Sequence, residues 1–172
     1  MDRVHLLSAI KARQTEALKD ILLPTVAQKG IPSVERPAEI FTGRLPDRKS
    51  ETTKAPYILN AILNSNFFQR PGEQPDNDVT VRTVVCVHHE NGELGAAGLL
   101  NLLERMRISY TAYPILDDMY EVDFEKGIQD LIYPDDTAPF YMAEQITVWK
   151  LPPVKREGWR KWLEDPKPNP RI

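Results

Sequence analysis

Proline is the feature of this sequence that most restricts how the chain can fold. The chain has 172 residues and 15 prolines, and most of the prolines fall in clusters. The clusters lie at residues 24–46, 71–75, 134–139 and 152–170. Proline lacks a backbone N–H and moves the residue before it away from helical geometry, so each cluster interrupts regular structure. The sequence therefore predicts short periodic segments joined by proline-rich connections.

Two segments have the apolar spacing of amphipathic helices. The pattern from Arg3 to Leu23 predicts a helix that ends at Pro24, and the pattern from Gly92 predicts a second helix to about Tyr110. The apolar stripes are Leu7, Ile10, Ala17, Leu18 and Ile21 in the first segment, and Leu99, Leu102, Leu103 and Met106 in the second. Each helix is predicted to bury one face.

Other segments are apolar or alternate as strands do. They are Glu39–Thr42, Lys54–Leu63, Val79–Val87, Tyr120–Phe124, Ile128–Tyr133 and Phe140–Trp149. Tyr120 and Val122 alternate with Glu121 and Asp123, which predicts one buried face and one acidic face in water. The segregation of helices from strands predicts an α+β fold, with a mostly antiparallel sheet and two main helices packed on one face.

One connection between predicted strands is longer than a hairpin turn requires. Asn64–Asp78 is polar and rich in turn-forming residues, which predicts an arm that protrudes from the sheet. Phe67 and Phe68, with Gln69 and Arg70 beside them, are candidates for contact with another subunit, because adjacent aromatics in a polar arm are more useful as contacts than as exposed surface.

The chain length predicts one domain over residues 1–157 and a peripheral tail over residues 158–172. Trp159 and Trp162 in the tail are further interface candidates, because tryptophan is enriched in binding hot spots. Packing of these tryptophans against the parent domain is the alternative.

Composition argues against several classes of function. The net charge of −3 gives no electrostatic grip on nucleic acid, so we expect protein partners and no sequence-specific nucleic-acid binding. A single cysteine cannot form an internal disulfide, and the N-terminus lacks the order of a signal peptide, so folding in a reducing cytoplasm is expected. No apolar run approaches the roughly 20 residues needed to cross a bilayer, so no membrane partner is expected.

The residues His88-His89-Glu90 are the strongest candidates for catalysis or metal binding. Neighbouring residues on a strand point to opposite faces, so His88 and His89 cannot easily share one ion, and the remaining histidine, His5, lies on the first helix. We therefore predict a solvated strand end and no metal site. Cys86, without an adjacent base, is predicted to be a buried, inert thiol.

Gly92, Gly95 and Gly98 lie at the start of the second helix, but their spacing matches neither a dinucleotide-binding loop nor a P-loop. They predict a tight turn and close contact between helix and sheet. The pairs Asp117-Asp118 and Asp135-Asp136 occur in turn-like contexts, where aspartate bonds the local backbone. The sequence therefore predicts no catalytic residue, no cofactor and no metal.

Three stretches resemble the tail terminator or tail completion proteins of phages that infect Gram-positive bacteria. Glu39–Asn60 reads EIFTGRLPDRKSETTKAPYILN, a short strand, a turn with glycine and proline, and a strand that opens with Pro-Tyr. In Asp78–Tyr110, a strand passes directly into a helix with a Leu-Leu-Glu-Arg pattern. Tyr120–Glu157 contains EKGIQDLIYPDDTAPFYMAEQITVWKLPPVKRE and is similar to the closing strands of that family.

The resemblance implies a structural virion protein and not an enzyme. Such a protein forms a homohexameric ring at the head-proximal end of the tail and caps the tail tube protein, which stops polymerisation. It also presents a surface to the head-tail connector or neck proteins, and it needs no cofactor.

Two other functions remain open at this stage. A head-tail connector or head completion protein would share the small α+β build and the lack of catalytic motifs. A small enzyme that uses His88 or His89 would need a concave pocket with a polar partner beside the imidazole.

Overall fold

A computed structural model describes residues 3–45, 54–68, 75–133 and 138–152 of the chain. The helices in these residues are α1 (Arg3–Leu18) and α2 (Gly92–Ala112). The strands are β1 (Leu23–Pro24), β2 (Glu35–Arg36), β3 (Glu39–Thr42), β4 (Tyr57–Phe68), β5 (Asp76–His88), β6 (Ile115–Leu116), β7 (Tyr120–Val122), β8 (Gln129–Ile132) and β9 (Phe140–Lys150). The predicted α+β class is confirmed. Neither described helix is long and apolar enough to cross a membrane.

The main sheet has the order β3-β4-β5-β9-β7-β6, and β8 also pairs with β9. β3 runs parallel to β4, and the other pairings in this sheet are antiparallel. β5 occupies one edge of β9, so β7 and β8 share the other edge at different heights. β1 and β2 form a separate pair.

Both helices pack on one face of the sheet, as the sequence predicts. Gln14 of α1 bonds to Asn60 of β4, and Gln145 of β9 donates to the backbone carbonyl of Leu103 in α2. The core beneath the helices is formed by alternate residues of the central strands together with the apolar stripes of both helices.

Close packing of α2 against the sheet depends on glycine. A Cβ built on Gly95 would lie 2.3 Å from the ring of Tyr141, and one built on Gly98 would lie 2.9 Å from Leu23. No side chain fits at either position unless its neighbour moves. The predicted role of these glycines in helix-to-sheet contact is confirmed.

A second, smaller apolar cluster lies on the opposite face of the sheet. Its buried members are Leu45, Ala55, Tyr57 and Cys86, and partly buried side chains such as Met142 pack against them. Local patterns in the sequence do not predict this cluster, to which Leu45 and Ala55 contribute from the segment before β4. The signal was weak, because two isolated apolar residues in a polar segment have no periodicity.

The first helix is shorter than predicted. α1 ends at Leu18, and Ile21 donates a backbone hydrogen bond to the Leu18 carbonyl in a turn. Pro24 forces the residue before it out of helical geometry, and Leu23 is accordingly in strand β1. Ile21 and Leu23 are buried while Leu22 is exposed, so the apolar residues after α1 alternate as in an extended chain.

Candidate protein interface

The predicted arm is largely a two-stranded ribbon. β4 continues to Phe68 and β5 begins at Asp76, and the two strands stay paired from Asn64↔Thr80 to Phe68↔Asp76. The prediction of a turn-rich arm over Asn64–Asp78 is therefore wrong for its described part. Backbone pairing needs no apolar side chains, so the ladder continues into a polar stretch that alternation does not identify as strand.

The distal part of the ribbon exposes large apolar side chains. Phe67 is 54% exposed and Phe68 is 66% exposed. Because successive strand residues point to opposite faces, the two rings lie on opposite faces of the ribbon. Leu63, at an irregularity in the register, is also exposed. Exposed aromatics on both faces are unusual for a surface that contacts only water.

The edge of β4 lacks charged residues and proline, two of the features that keep sheet edges from pairing. β4 has 12 residues, and none of them is charged or proline. β3 accompanies β4 only as far as Thr42↔Asn60, so from Ala61 onward no described strand lies on the edge of β4 that faces away from β5. A long, uncharged edge with exposed apolar side chains is a template for pairing with another chain.

Ion pairs connect the base of the ribbon, at Asp78, to the rest of the sheet. Lys126 forms an ion pair with Asp78 of β5 and lies 3.6 Å from Asp123, and Lys150 of β9 lies 3.5 Å from the same aspartate. The hydrogen bond to Asp78 raises the pKa of Lys126. Asp123 is buried, so its predicted position on the acidic, wet face is wrong. β7 ends at Val122, and alternation stops where the strand does.

His88 and His89 contact different residues. The His88 ring packs against Phe140 with centroids 5.1 Å apart, and its Nε2 lies 3.4 Å from a carboxylate oxygen of Glu90. His89 accepts a hydrogen bond at Nδ1 from the Asn91 backbone N–H at 2.9 Å. The predicted solvated strand end is correct for Glu90 and wrong for His88, which is buried.

The other residues considered for catalysis or metal binding have structural roles. Cys86 is buried in the smaller apolar cluster, as predicted. Asp117 and Asp118 form the turn between β6 and β7, both with positive φ, which confirms their assignment to a turn. No group of three or more His, Cys, Asp or Glu side chains in residues 3–45, 54–68, 75–133 and 138–152 is placed to hold a metal ion.

Several candidates lie outside the described residues. They are Gln69, Arg70, Asp135, Asp136, Trp159 and Trp162. Of the predicted interface residues, the structure thus places only Phe67 and Phe68.

A cleft of about 320 Å³, which no sequence pattern predicts, opens between α1 and β3. Its lining residues are Lys11, Thr15, Leu18, Lys19, Pro37, Ala38, Glu39, Ile40 and Phe41. Neither His88 nor His89 lines it, so the histidine candidates and the cleft are separate. The recurrence of Lys11 and Thr15 at helical spacing was the one available signal for a polar helix face here.

No protein-family model and no curated protein matches the chain. Among the described residues, the ribbon with Phe67 and Phe68 and the cleft between α1 and β3 are surfaces that another molecule can contact.

Proposed function

We propose that this chain is a tail terminator, a structural protein that assembles as a six-subunit ring on the end of a tail tube and stops its polymerisation. One observation carries the proposal: the ribbon of β4 and β5 extends past the neighbouring strands and exposes Phe67 and Phe68. A protein that acts by contact with copies of itself and with a tube needs such a surface. The sequence resemblance supplies the subunit number and the tube.

The ribbon supports contact with a neighbour through its backbone as well as its rings. Beyond Asp78 the two strands of the ribbon stay paired with each other, and Leu151 donates its N–H to the carbonyl of Asn77 on the outer side of β5 at 2.8 Å. The outer edge of β4 is open among the described strands. Each aromatic ring faces a different side. A neighbouring subunit and the tube can therefore be contacted at the same time, one on each face of the ribbon.

Charge does not oppose this assembly. The net charge of the chain is −3, so repulsion between copies is small. β4 carries no charged residue, so charge on its exposed edge opposes neither a neighbouring strand nor an apolar surface. Contacts between two different surfaces of one protein close into rings when the rotation between copies fits.

Assembly without the chain tests the proposal directly. Particles made in its absence are expected to have tubes of uncontrolled length or tails that fail to join heads, and supplying the chain should restore both. Normal, length-controlled and head-joined tails would contradict the proposal. Tubes of normal length that fail only to join heads would instead assign the chain to the head-tail connection.

Point variants test the ribbon itself. The double variant Phe67→Ser/Phe68→Ser is expected to fold, since both rings are exposed, and to lose tail-length control. Leu100→Ser is the matched control, because Leu100 is 50% exposed on α2, away from the ribbon. Full length control by the double variant, at the level of the control, would remove the ribbon from the function.

A further inference from the structure

The two lateral edges of the main sheet, formed by β3 and β8, lie at the same position along the strand direction. Ile40 of β3 pairs with Ile58, which pairs with Val85, which pairs with Ala143. On the far side, Ile132 of β8 pairs with the same Ala143. Ile40 and Ile132 therefore occupy the two ends of one row that crosses the whole sheet. β3 and β8 are each four residues long, so the two edges also match in length.

At the β3 edge, the backbone of Ile40 faces away from the sheet. Glu39 donates its N–H to the carbonyl of Pro56 at 3.1 Å, and Gly43 donates to the carbonyl of Asn60 at 2.7 Å. Alternate residues of a strand bond to opposite neighbours, so the N–H and C=O of Ile40 point to the side where no described strand pairs.

At the β8 edge, the same argument applies to Ile132. Tyr133 donates its N–H to the carbonyl of Met142 at 3.1 Å, which makes this pair a hydrogen-bonded one. Leu131 is then also turned toward β9, and Ile132 presents its N–H and C=O outward. Leu131 and Ile132 are 53% and 56% exposed.

The strand directions also suit a join between these edges. β3 is parallel to β4, and each of the steps from β4 through β5 and β9 to β8 is antiparallel. β8 therefore runs opposite to β3. A second copy placed beside the first in the plane of the sheet brings its β3 antiparallel to β8 of the first copy, with no change of height.

We infer that β8 of one copy pairs with β3 of the next, with Ile132 opposite Ile40 and Leu131 opposite Phe41. Ile40 and Ile132 share the helix side of the sheet, because both lie in the row of buried Ala143. Phe41 and Leu131 share the other side. Apolar side chains thus meet apolar side chains on both faces, and the sheet continues from one subunit into the next.

The cleft beside β3 matches the residues that β8 would bring. Ile132 enters on the helix side, where Leu18, Ala38 and Ile40 line the cleft. Lys11, Lys19 and Glu39 also line this cleft, and the single charged residue of β8 is Asp130.

Asp130 itself is held by contacts within its own subunit. Within its own subunit it accepts a hydrogen bond from Gln145 at 2.9 Å and lies 3.8 Å from Arg107, and both partners are on the helix side. A second copy of this chain is therefore the occupant that suits the cleft in length, direction and apolar match. The inference rests on the proposed function only for its setting, a protein that assembles with itself.

Disulfide trapping tests the pairing in the full chain. Phe41 and Leu131 would form a non-hydrogen-bonded pair, with Cα atoms about 4.5 Å apart, a separation that a disulfide can span. Phe41→Cys and Leu131→Cys proteins are mixed at high concentration and oxidised, then separated under denaturing, non-reducing conditions. The native Cys86 is buried and should stay unreacted.

A dimer between the two variants is expected only in the mixture. Each variant alone and a mixture of Leu100→Cys with Leu131→Cys serve as controls. Absence of the dimer in the mixture would overturn the inference, whether the edges are covered by the chain's own remaining residues or by another protein. Equal cross-linking of Phe41→Cys with itself would also overturn it, since that requires two β3 edges to meet.

A charged variant gives an independent result. Ile132→Lys should fold, because Ile132 is exposed, and should lower self-association at least tenfold, while Leu100→Lys should not. Self-association that is unchanged in Ile132→Lys would count against the pairing. Loss of tail-length control in the absence of the chain, without trapping, would refute the pairing and leave the proposed function standing. Formation of the cross-linked dimer, together with normal tails in the absence of the chain, would support the pairing and refute the proposed function.

Discussion

Gln14 of α1 and Asn60 of β4 exchange two side-chain hydrogen bonds inside the core, at 3.0 and 2.6 Å. The Gln14 amide also donates to the hydroxyl of Tyr110 in α2 at 2.9 Å, and the hydroxyl of Thr83 in β5 donates to Asn60 at 2.7 Å. All four residues are at least 99% buried. The cluster thus connects both helices to the two central strands at one point.

Loss of one member of this cluster should be costly. Asn60→Ala leaves Gln14 and Thr83 with unsatisfied buried groups, and it is expected to lower the free energy of unfolding by about 1–3 kcal/mol. Urea unfolding measures this value. Asn101→Ala, an exposed asparagine of α2, is the matched control and should stay within about 0.5 kcal/mol of the parent. Equal effects of the two variants would contradict a structural role for the cluster.

Gly95→Ala should destabilise the chain, because its new methyl group would overlap the ring of Tyr141. A cost of about 1–3 kcal/mol is expected from overpacking, measured by urea unfolding. Gly92→Ala is the control, since its Cβ would lie 3.5 Å from the Tyr141 hydroxyl, an ordinary contact. Tyr141→Leu should relieve part of the cost of Gly95→Ala. A Gly95→Ala variant as stable as Gly92→Ala would refute the close approach.

The ion pairs at the ribbon's base predict a loss of stability at alkaline pH. The pKa of Lys126 is raised in the folded chain, chiefly by its hydrogen bond to Asp78. Its contribution is fully present below the pKa of lysine in the unfolded chain, about 10.4, and is lost as pH rises through the folded value. From about pH 10 upward, the free energy of unfolding should therefore fall less in Lys126→Met than in the parent.

The control for this measurement is Lys29→Met, an exposed lysine remote from Asp78 and Asp123. The free energy of unfolding of Lys29→Met should fall with rising pH as that of the parent does. If Lys126→Met follows the same curve as the parent and the control, the contacts of Lys126 contribute nothing to stability.

Hydrogen exchange should distinguish the two ends of the ribbon in the isolated chain. At Val81, β5 is paired with β4 on one side and β9 on the other. At Phe67 and Phe68, no described strand lies on the outer edge of β4, and on the outer side of β5 the Leu151 N–H donates to Asn77. Backbone amides of Phe67 and Phe68 are therefore expected to exchange faster than that of Val81, and to become protected on assembly. Equal protection of all three amides in the monomer would mean that the aromatic end is already packed against its own subunit.

The chain is expected to bind no stoichiometric zinc. His88 is buried against Phe140, and His89 uses its Nδ1 to accept from the Asn91 backbone, so the two imidazoles do not converge. Elemental analysis after dialysis against a chelator measures bound metal. Zinc retained at one ion per chain, and lost in His88→Ala or His89→Ala, would overturn this prediction.

Much of the fold followed from local patterns. The apolar period of 3.6 identifies α2, whose start at Gly92 is confirmed, and alternation of valines identifies the inner part of β5. Such patterns work where one face of an element is buried along its whole length. They give no signal where both faces of a strand are exposed to water. The distal half of β4 was therefore predicted as part of a turn-rich arm.

The candidate site was predicted only in part. Phe67 and Phe68 stand out in the sequence as aromatics in a polar stretch, and the structure leaves them exposed. The sequence does not predict that Asp123 is buried between Lys126 and Lys150, because the lysine of β9 is brought there by sheet pairing. The alternation of apolar and acidic residues predicted that this aspartate lies on the exposed face of the strand.

By itself, the amino-acid sequence determined the type of most elements, the proline-rich joints between them and the α+β class. Those properties depend on residues within a few positions of one another. Only the tertiary structure decided that Ile40 and Ile132, far apart in the chain, end the same row of the sheet. Register is a property of strand pairs, and the height of one edge relative to the other is the sum of four such pairings, which no local period encodes.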